Sequence, residues 1–150
     1  MRYFTLIFLF TYLFSCTPST ENLKNTELEN WIKIFNGKDL SGWDIKITGR
    51  DINDNLKNTF YVEDSILRIS YDNYENFGTY FGHLYYKQPY SYYKLKFDYR
   101  FVGEQTEGGA SWNVRNSGVM LHSQSAESNE YGQHFPVSIE LQLLGGLWDG

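Results

Sequence analysis

Apolar and polar residues alternate with a period of two along much of the chain after Trp31. The clearest example is the segment 93–101, in which apolar and aromatic side chains take one face and charged side chains take the other. Such alternation predicts a β-strand with one buried and one solvent-facing side. Further strands are predicted at residues 32–35, 43–47, 60–62, 66–71, 80–86 and 137–144.

Turn-forming residues separate these segments. They cluster at residues 36–39, 48–51, 72–73 and 108–109, where Gly, Asn and Asp favour tight turns. Outside the N-terminal leader and the polar stretch 21–30, the pattern does not predict an amphipathic helix. Short strands joined by such turns predict an all-β fold, an antiparallel sandwich or barrel. The sequence ends on a glycine-rich turn directly after a predicted strand, so we expect the domain to be truncated at its C-terminus.

The first 16 residues have the organisation of an export signal. Arg2 precedes an apolar run over residues 3–14, and Ser15 and Cys16 follow it. The run is short for a membrane-spanning helix and predicts a secretory signal over residues 1–15, with a membrane anchor or a core strand as the alternatives. Residues 13–16 resemble the lipobox of bacterial lipoproteins, which implies lipidation of Cys16, a tether over residues 16–30 and a location in the periplasm or at the cell surface. Residues 31–150 then form the domain.

Composition narrows the classes of function. The chain has 13 Lys+Arg against 18 Asp+Glu, a net charge of −5, which argues against binding to nucleic acid. Its single cysteine excludes an intrachain disulfide scaffold, a zinc ribbon and an iron–sulfur site. The three histidines lack a metal-ligand spacing, and the loop 51–55 lacks the spacing of a full calcium loop. We therefore expect neither a metal nor a cofactor.

Five segments, taken in order, resemble the 3-keto-disaccharide hydrolase domain family, formerly called domain of unknown function 1080. They are FNGKDLSGW at 35–43, FGHLYY at 81–86, YRFVGEQ at 99–105, RNSGVMLH at 115–122 and FPVSIELQLLGG at 135–146. The resemblance implies a concanavalin-A-like jelly roll, in which two curved antiparallel sheets present a concave sugar-facing side. Domains of the family usually continue past the last of these segments, so we expect a jelly roll that is incomplete at the C-terminus.

Two of these segments predict a shared polar face. Glu140 and Gln142 alternate with apolar residues along 137–144, while Asn116, Gly118 and His122 fall on one side of 115–122. If both strands lie centrally in the sugar-facing sheet, Glu140 meets His122 in the cleft and Gly118 leaves room for a ligand. The alternative for Glu140 is a solvated carboxylate on an outer sheet face. The candidate substrate-binding residues are Asn116, Gln142, Arg115, Trp112 and His83.

The chemistry of a 3-keto sugar fits this set of side chains. An ordinary glycosidase needs two carboxylates, whereas this strand offers Glu140 alone. In a 3-keto sugar the ketone acidifies the hydrogen at C2, so one base can start an elimination that water later reverses. The resemblance thus implies a hydrolase of 3-keto-glycosides, with Glu140 as base or acid and His122 assisting. The alternatives are a non-catalytic carbohydrate-binding module and an adhesion or scaffold domain.

Overall fold

The computed structural model describes residues 30–146. The predicted signal segment, Cys16 and the tether up to residue 29 lie outside the described residues. Six strands are present: β1 (Trp43–Ile47), β2 (Phe60–Glu63), β3 (Ile66–Ile69), β4 (Gly82–Tyr86), β5 (Asn116–Leu121) and β6 (Ile139–Leu144). Two single turns of 3-10 helix, Leu56–Asn58 and Ser111–Asn113, precede β2 and β5.

The strands form three antiparallel pairs. β1 pairs with β4, β2 with β3 and β5 with β6, each pair being a two-stranded sheet. This confirms the all-β, antiparallel class. The described residues show three separate pairs and not two continuous sheets, so the jelly roll remains a prediction from the family resemblance.

The hydrophobic core lies between the first two pairs. Ile45 and Ile47 of β1 and Phe60 of β2 are its buried members. On β4, Gly82 lies opposite Ile47, and a Cβ added to it would stand 2.8 Å from Cζ of Phe60. A glycine at this position therefore lets the Phe60 ring pack directly against the backbone of β4. Leu40, Leu56 and Leu84 pack against this core.

Buried polar groups in this region are paired by side chains from the connecting turns. Asn55 binds both backbone groups of Phe60, accepting from its N–H at 3.0 Å and donating to its carbonyl at 2.7 Å. The fully buried hydroxyl of Thr59 donates to the Leu56 carbonyl at 2.7 Å and lies 2.7 Å from the Tyr74 hydroxyl. These bonds fix the start of β2 without leaving its polar atoms unsatisfied.

Most of the predicted strands are present, with shifted ends. The strand at 43–47 is found with the expected bounds, and those at 60–62, 66–71, 80–86 and 137–144 become β2, β3, β4 and β6. The predicted strand at 32–35 is absent. There the carbonyl of Ile34 accepts a hydrogen bond from the Trp43 indole at 3.2 Å, so a side chain takes the place of a strand partner.

The segment predicted most clearly, 93–101, is not a strand. Its backbone does not pair with another strand within the described residues. The side chains on its apolar face are also exposed to solvent, Leu95 by 41% and Tyr99 by 55%. Alternation reports which side chains share a face, but a strand also needs neighbouring backbone groups to pair with. Tyr93, Leu95 and Phe97 instead border an open groove of about 670 Å³, whose other wall includes Val119, Leu121 and Leu141 of β5 and β6.

Candidate functional site

The polar face of the β5–β6 pair carries three of the predicted site residues. The register sets Met120 opposite Glu140 and Gly118 opposite Gln142, and Asn116 lies on the same face two residues earlier. Gln142 donates through Nε2 to the Asn116 side-chain oxygen and to the Ser117 carbonyl, the latter at 3.2 Å. The face therefore holds a carboxylate beside two linked carboxamides.

The Glu140 side chain lies directly over the backbone of Gly118. A Cβ added to Gly118 would stand 2.7 Å from Cγ and 2.8 Å from Cδ of Glu140, closer than carbon atoms pack. The sequence pattern predicts that the space over Gly118 admits a ligand. Glu140 itself occupies that space, so this glycine sets the position of the carboxylate.

An aromatic platform, formed by Phe81, Trp112 and Phe135, borders these residues. Trp112 stacks on Phe81 with centroids 5.8 Å apart and planes 8° apart, and Phe135 lies 4.8 Å from Phe81. The carbonyl of Trp112 accepts a hydrogen bond from Nδ2 of Asn116 at 2.7 Å, which ties the platform to the carboxamides. Trp112 is 55% and Phe135 45% exposed, so both rings offer surface to a ligand.

His83 on β4 lies at the other side of the platform, 6.1 Å from the Phe135 ring. Its Nε2 is 2.8 Å from the carbonyl oxygen of His134. Burial lowers the pKa of His83 below its ordinary value of 6.5, while the His134 carbonyl and the negative charge of Glu140 act in the opposite direction. The Phe135 ring lies beside both His83 and Trp112, so His83 borders the same aromatic platform as the carboxamides.

His122 does not follow the predicted alternation. Its φ of +50° turns the chain at the end of β5, so the face rule for a strand no longer applies. Its ring lies 6.2 Å from that of Tyr93 and lines the apolar groove together with Val119 and Leu121. The structure therefore places the His122 ring at the apolar groove, on the side of the β5–β6 pair that carries Val119 and Leu141.

Arg115 also leaves the strand geometry, with a φ of +45°. Its carbonyl accepts a hydrogen bond from the Gly145 N–H at 2.8 Å, and its Cβ and Cδ lie beside Gly145. The stem of Arg115 thus closes the end of the β5–β6 pair. The predicted substrate-binding roles of Arg115 and the catalytic role of His122 stay predictions from the sequence.

The sequence pattern does not show how residues from separate strand pairs come together in this site. It does not indicate Phe81 or Phe135 as site residues, and it cannot reveal the backbone carbonyl that His134 contributes. The signal that could have found them is their position in two segments of the family resemblance, 81–86 and 135–146.

A metal ligand set is not evident in the part of the chain that the structure describes. Residues 30–146 hold no group of three His, Cys, Asp or Glu side chains able to bind an ion together. In the loop 51–55, Asp54 pairs with Arg50 at 2.6 Å and Asn53 donates to Asp44 at 2.9 Å, so both side chains already have protein partners.

An antiparallel β domain that sets a carboxylate, an imidazole and carboxamides around an exposed aromatic platform has the composition of a small-molecule site, with flat apolar surface and few polar groups. More particularly, the chain belongs to the 3-keto-alpha-glucoside-1,2-lyase-like domain family, whose model matches residues 30–149. This confirms the family that the five sequence segments indicated. No curated protein and no solved structure matches the chain.

Proposed function

We propose that this protein cleaves the glycosidic bond of 3-keto-glycosides by elimination across C1 and C2, followed by addition of water. The observation that carries the proposal is the placement of the Glu140 carboxylate over Gly118, beside two carboxamides that are tied to the exposed aromatic platform. The family description, a 3-keto-alpha-glucoside-1,2-lyase-like domain, supports the same class of substrate.

Glu140 is the base of the elimination. Its carboxylate takes the hydrogen from C2, which the neighbouring C3 ketone has made acidic, and the electron pair of that bond delocalises onto the ketone oxygen. As the ketone re-forms, a C1–C2 double bond appears and the C1–O bond breaks. The proton held by Glu140 then passes to the departing oxygen, which releases the aglycone and restores the carboxylate.

The carboxamides and the aromatic platform orient the sugar. The protein already occupies three polar atoms of these carboxamides with hydrogen bonds: Nδ2 and Oδ1 of Asn116 and Nε2 of Gln142. The Oε1 of Gln142, held by those bonds, is the atom that accepts a hydrogen bond from a sugar hydroxyl. Trp112 offers its exposed ring as a flat surface for the pyranose.

The test compares the full chain with its Glu140→Gln variant on a 3-keto-disaccharide, with release of free glucose as the readout. We expect the variant to lose about 10²-fold or more in turnover, the usual contribution of a general base. Glu130→Gln, which removes an exposed carboxylate from the loop between β5 and β6, is the matched control and is expected to retain activity. Equal turnover by wild type and Glu140→Gln contradicts the assignment.

A second function, a non-catalytic carbohydrate-binding module, is favoured by the exposed rings of Trp112 and Phe135 beside the carboxamides. Such a module needs aromatic surface and amides but no ionisable group. It predicts saturable binding of the sugar to both wild type and Glu140→Gln, without glucose release from either.

The same proposal places the protein outside the cytoplasm, tethered to a membrane through a lipid on Cys16. Its support is the sequence of residues 1–16, which lie outside the described residues; within 30–146 no helix is long and apolar enough to cross a membrane. The test follows the full chain and its Cys16→Ala variant by membrane fractionation and by incorporation of labelled palmitate. Lipid labelling of the variant at the wild-type level rejects this tether.

A further inference from the structure

The carbonyl oxygen of His134 fixes which ring nitrogen of His83 carries a hydrogen. A carbonyl oxygen only accepts hydrogen bonds, so Nε2, 2.8 Å away, is the donor. A neutral imidazole carries one hydrogen, which leaves the lone pair on Nδ1. Within residues 30–146, Nδ1 makes no hydrogen bond and is not among the buried atoms that lack a partner. It is therefore not fully enclosed by the protein.

The surroundings keep this imidazole neutral near pH 7. Burial lowers the pKa of His83 below 6.5, and the His134 carbonyl and Glu140 offset only part of that effect. Other titratable groups near it include Lys46, its register partner on β1, Tyr85 on its own strand, and His134, whose backbone carbonyl it contacts. Lys46 directs its ammonium to the carbonyl of Arg50 at 2.8 Å. His83 thus holds a basic Nδ1 beside the aromatic platform that borders the β5–β6 face.

We propose that His83 is the base of the hydration step, the residue that makes this domain a hydrolase and not only a lyase. The proposal rests on the proposed function, because elimination by Glu140 must first supply the substrate of this step. Its geometric basis is the fixed Nε2–H···O bond to His134, the free Nδ1 and the shared aromatic platform between His83 and the β5–β6 face.

The step conserves atoms and charge with water as the co-reactant. Elimination leaves a 3-keto sugar with a C1–C2 double bond. Nδ1 of His83 takes a proton from water while the water oxygen bonds to C1, and the π electrons move toward the ketone to give an enolate. The imidazolium then returns its proton to C2 and the ketone re-forms. During the step the negative charge of Glu140 stabilises the imidazolium.

The test measures two products separately in the full chain and in its His83→Gln variant. The glutamine amide can still donate to the His134 carbonyl but cannot serve as a base. With a 3-keto-disaccharide, free glucose reports elimination, and mass spectrometry separates the unsaturated keto sugar from its hydrated form, corrected for hydration without enzyme. We expect hydration to fall by about 10²-fold relative to aglycone release. The unsaturated sugar then accumulates.

The other possible results of this experiment distinguish a failure of the proposed function from a failure of the His83 assignment. If wild type releases no glucose, the proposed function itself fails. If wild type releases glucose but stops at the unsaturated sugar, or if His83→Gln lowers both products in proportion, His83 is not the hydration base. Unchanged hydration in the variant overturns the assignment equally.

A measurement on wild type keeps the proposal testable if His83→Gln does not fold. The base must be neutral, and its pKa lies below 6.5. Hydration should therefore persist at pH 6.5 and fall relative to elimination as the pH drops through the lowered pKa. A ratio of the two products that is independent of pH across this range overturns the proposal.

Discussion

Replacement of Gly118 by alanine tests directly whether the position of the Glu140 carboxylate matters. The added Cβ would contact Oε1 of Glu140 and lie 2.7 Å from its Cγ and 2.8 Å from its Cδ. Carbon atoms pack at about 3.5–4.0 Å, so the side chain of Glu140 must move by about 1 Å. The rest of the β5–β6 pair need not change, because Gly118 does not have a positive φ.

A displacement of this size has a clear expected cost in rate. Misplacing a catalytic group by about 1 Å costs on the order of 10²-fold, so we expect kcat for aglycone release to fall by about that factor. The free energy of unfolding should instead stay the same or rise, because alanine is favoured over glycine in a strand interior by about 0.5–1 kcal/mol. A fall in activity with an unchanged or raised melting temperature is a combination that general unfolding does not produce.

The assay follows glucose release from a 3-keto-disaccharide, and thermal unfolding is recorded on the same samples. Gly132→Ala is the matched control, because a Cβ there meets nothing within 4 Å and its φ is not positive. In a Glu140→Gln background, Gly118→Ala should cost little further activity, since the group it displaces no longer acts. Wild-type kcat in Gly118→Ala, or an equal loss in Gly132→Ala, refutes the reasoning.

The remaining predictions concern stability and titration. Gly82→Ala puts a Cβ 2.8 Å from the Phe60 ring, and we expect it to lower the free energy of unfolding by about 1–3 kcal/mol in urea titrations. Thr59→Val removes the hydrogen bonds of a fully buried hydroxyl and should cost about 1–3 kcal/mol by the same measurement; no loss would contradict that role. Hydrogen bonds from Ser41 lower the pKa of Asp39 from 3.8 to about 2, so their stabilising effect is present above pH 3.8 and lost as the pH falls through about 2. An NMR titration of Asp39 with its midpoint near 3.8 would contradict this.

The parts of the fold that could be predicted are those set by neighbouring residues. Alternation assigned Glu140, Gln142 and Asn116 to one face of β5 and β6, as the register shows, because side chains in a strand must point to opposite sides in turn. Turn residues likewise marked the end of β1 correctly, whereas β3 ends at Ile69, two residues before the predicted end. Both features depend only on residues that are close together in the sequence, so the sequence alone can predict them.

What could not be predicted depends on distant partners or on single dihedral angles. The segment 93–101 alternates as a strand should, yet it makes no ladder within the described residues. The positive φ of His122 removes it from the face on which alternation placed it. The proposed role of His83 depends on the His134 carbonyl, which is 51 residues away in the chain and which the fold brings to its Nε2. No one-dimensional pattern contains such a contact.

The arrangement around Gln142 favours the proposed mechanism, which needs only one carboxylate. Hydrolysis by direct displacement requires a second carboxylate that faces the first across the bond. Gln142 is two residues from Glu140 on the same face, and its Nε2 donates to Asn116 and to the Ser117 carbonyl. A glutamate in its place would set two acceptors against those oxygens and a second negative charge beside Glu140. The proposed elimination and hydration next to a ketone require one charged base, an amide and an imidazole, and Glu140, Gln142 and His83 are the residues we propose for them.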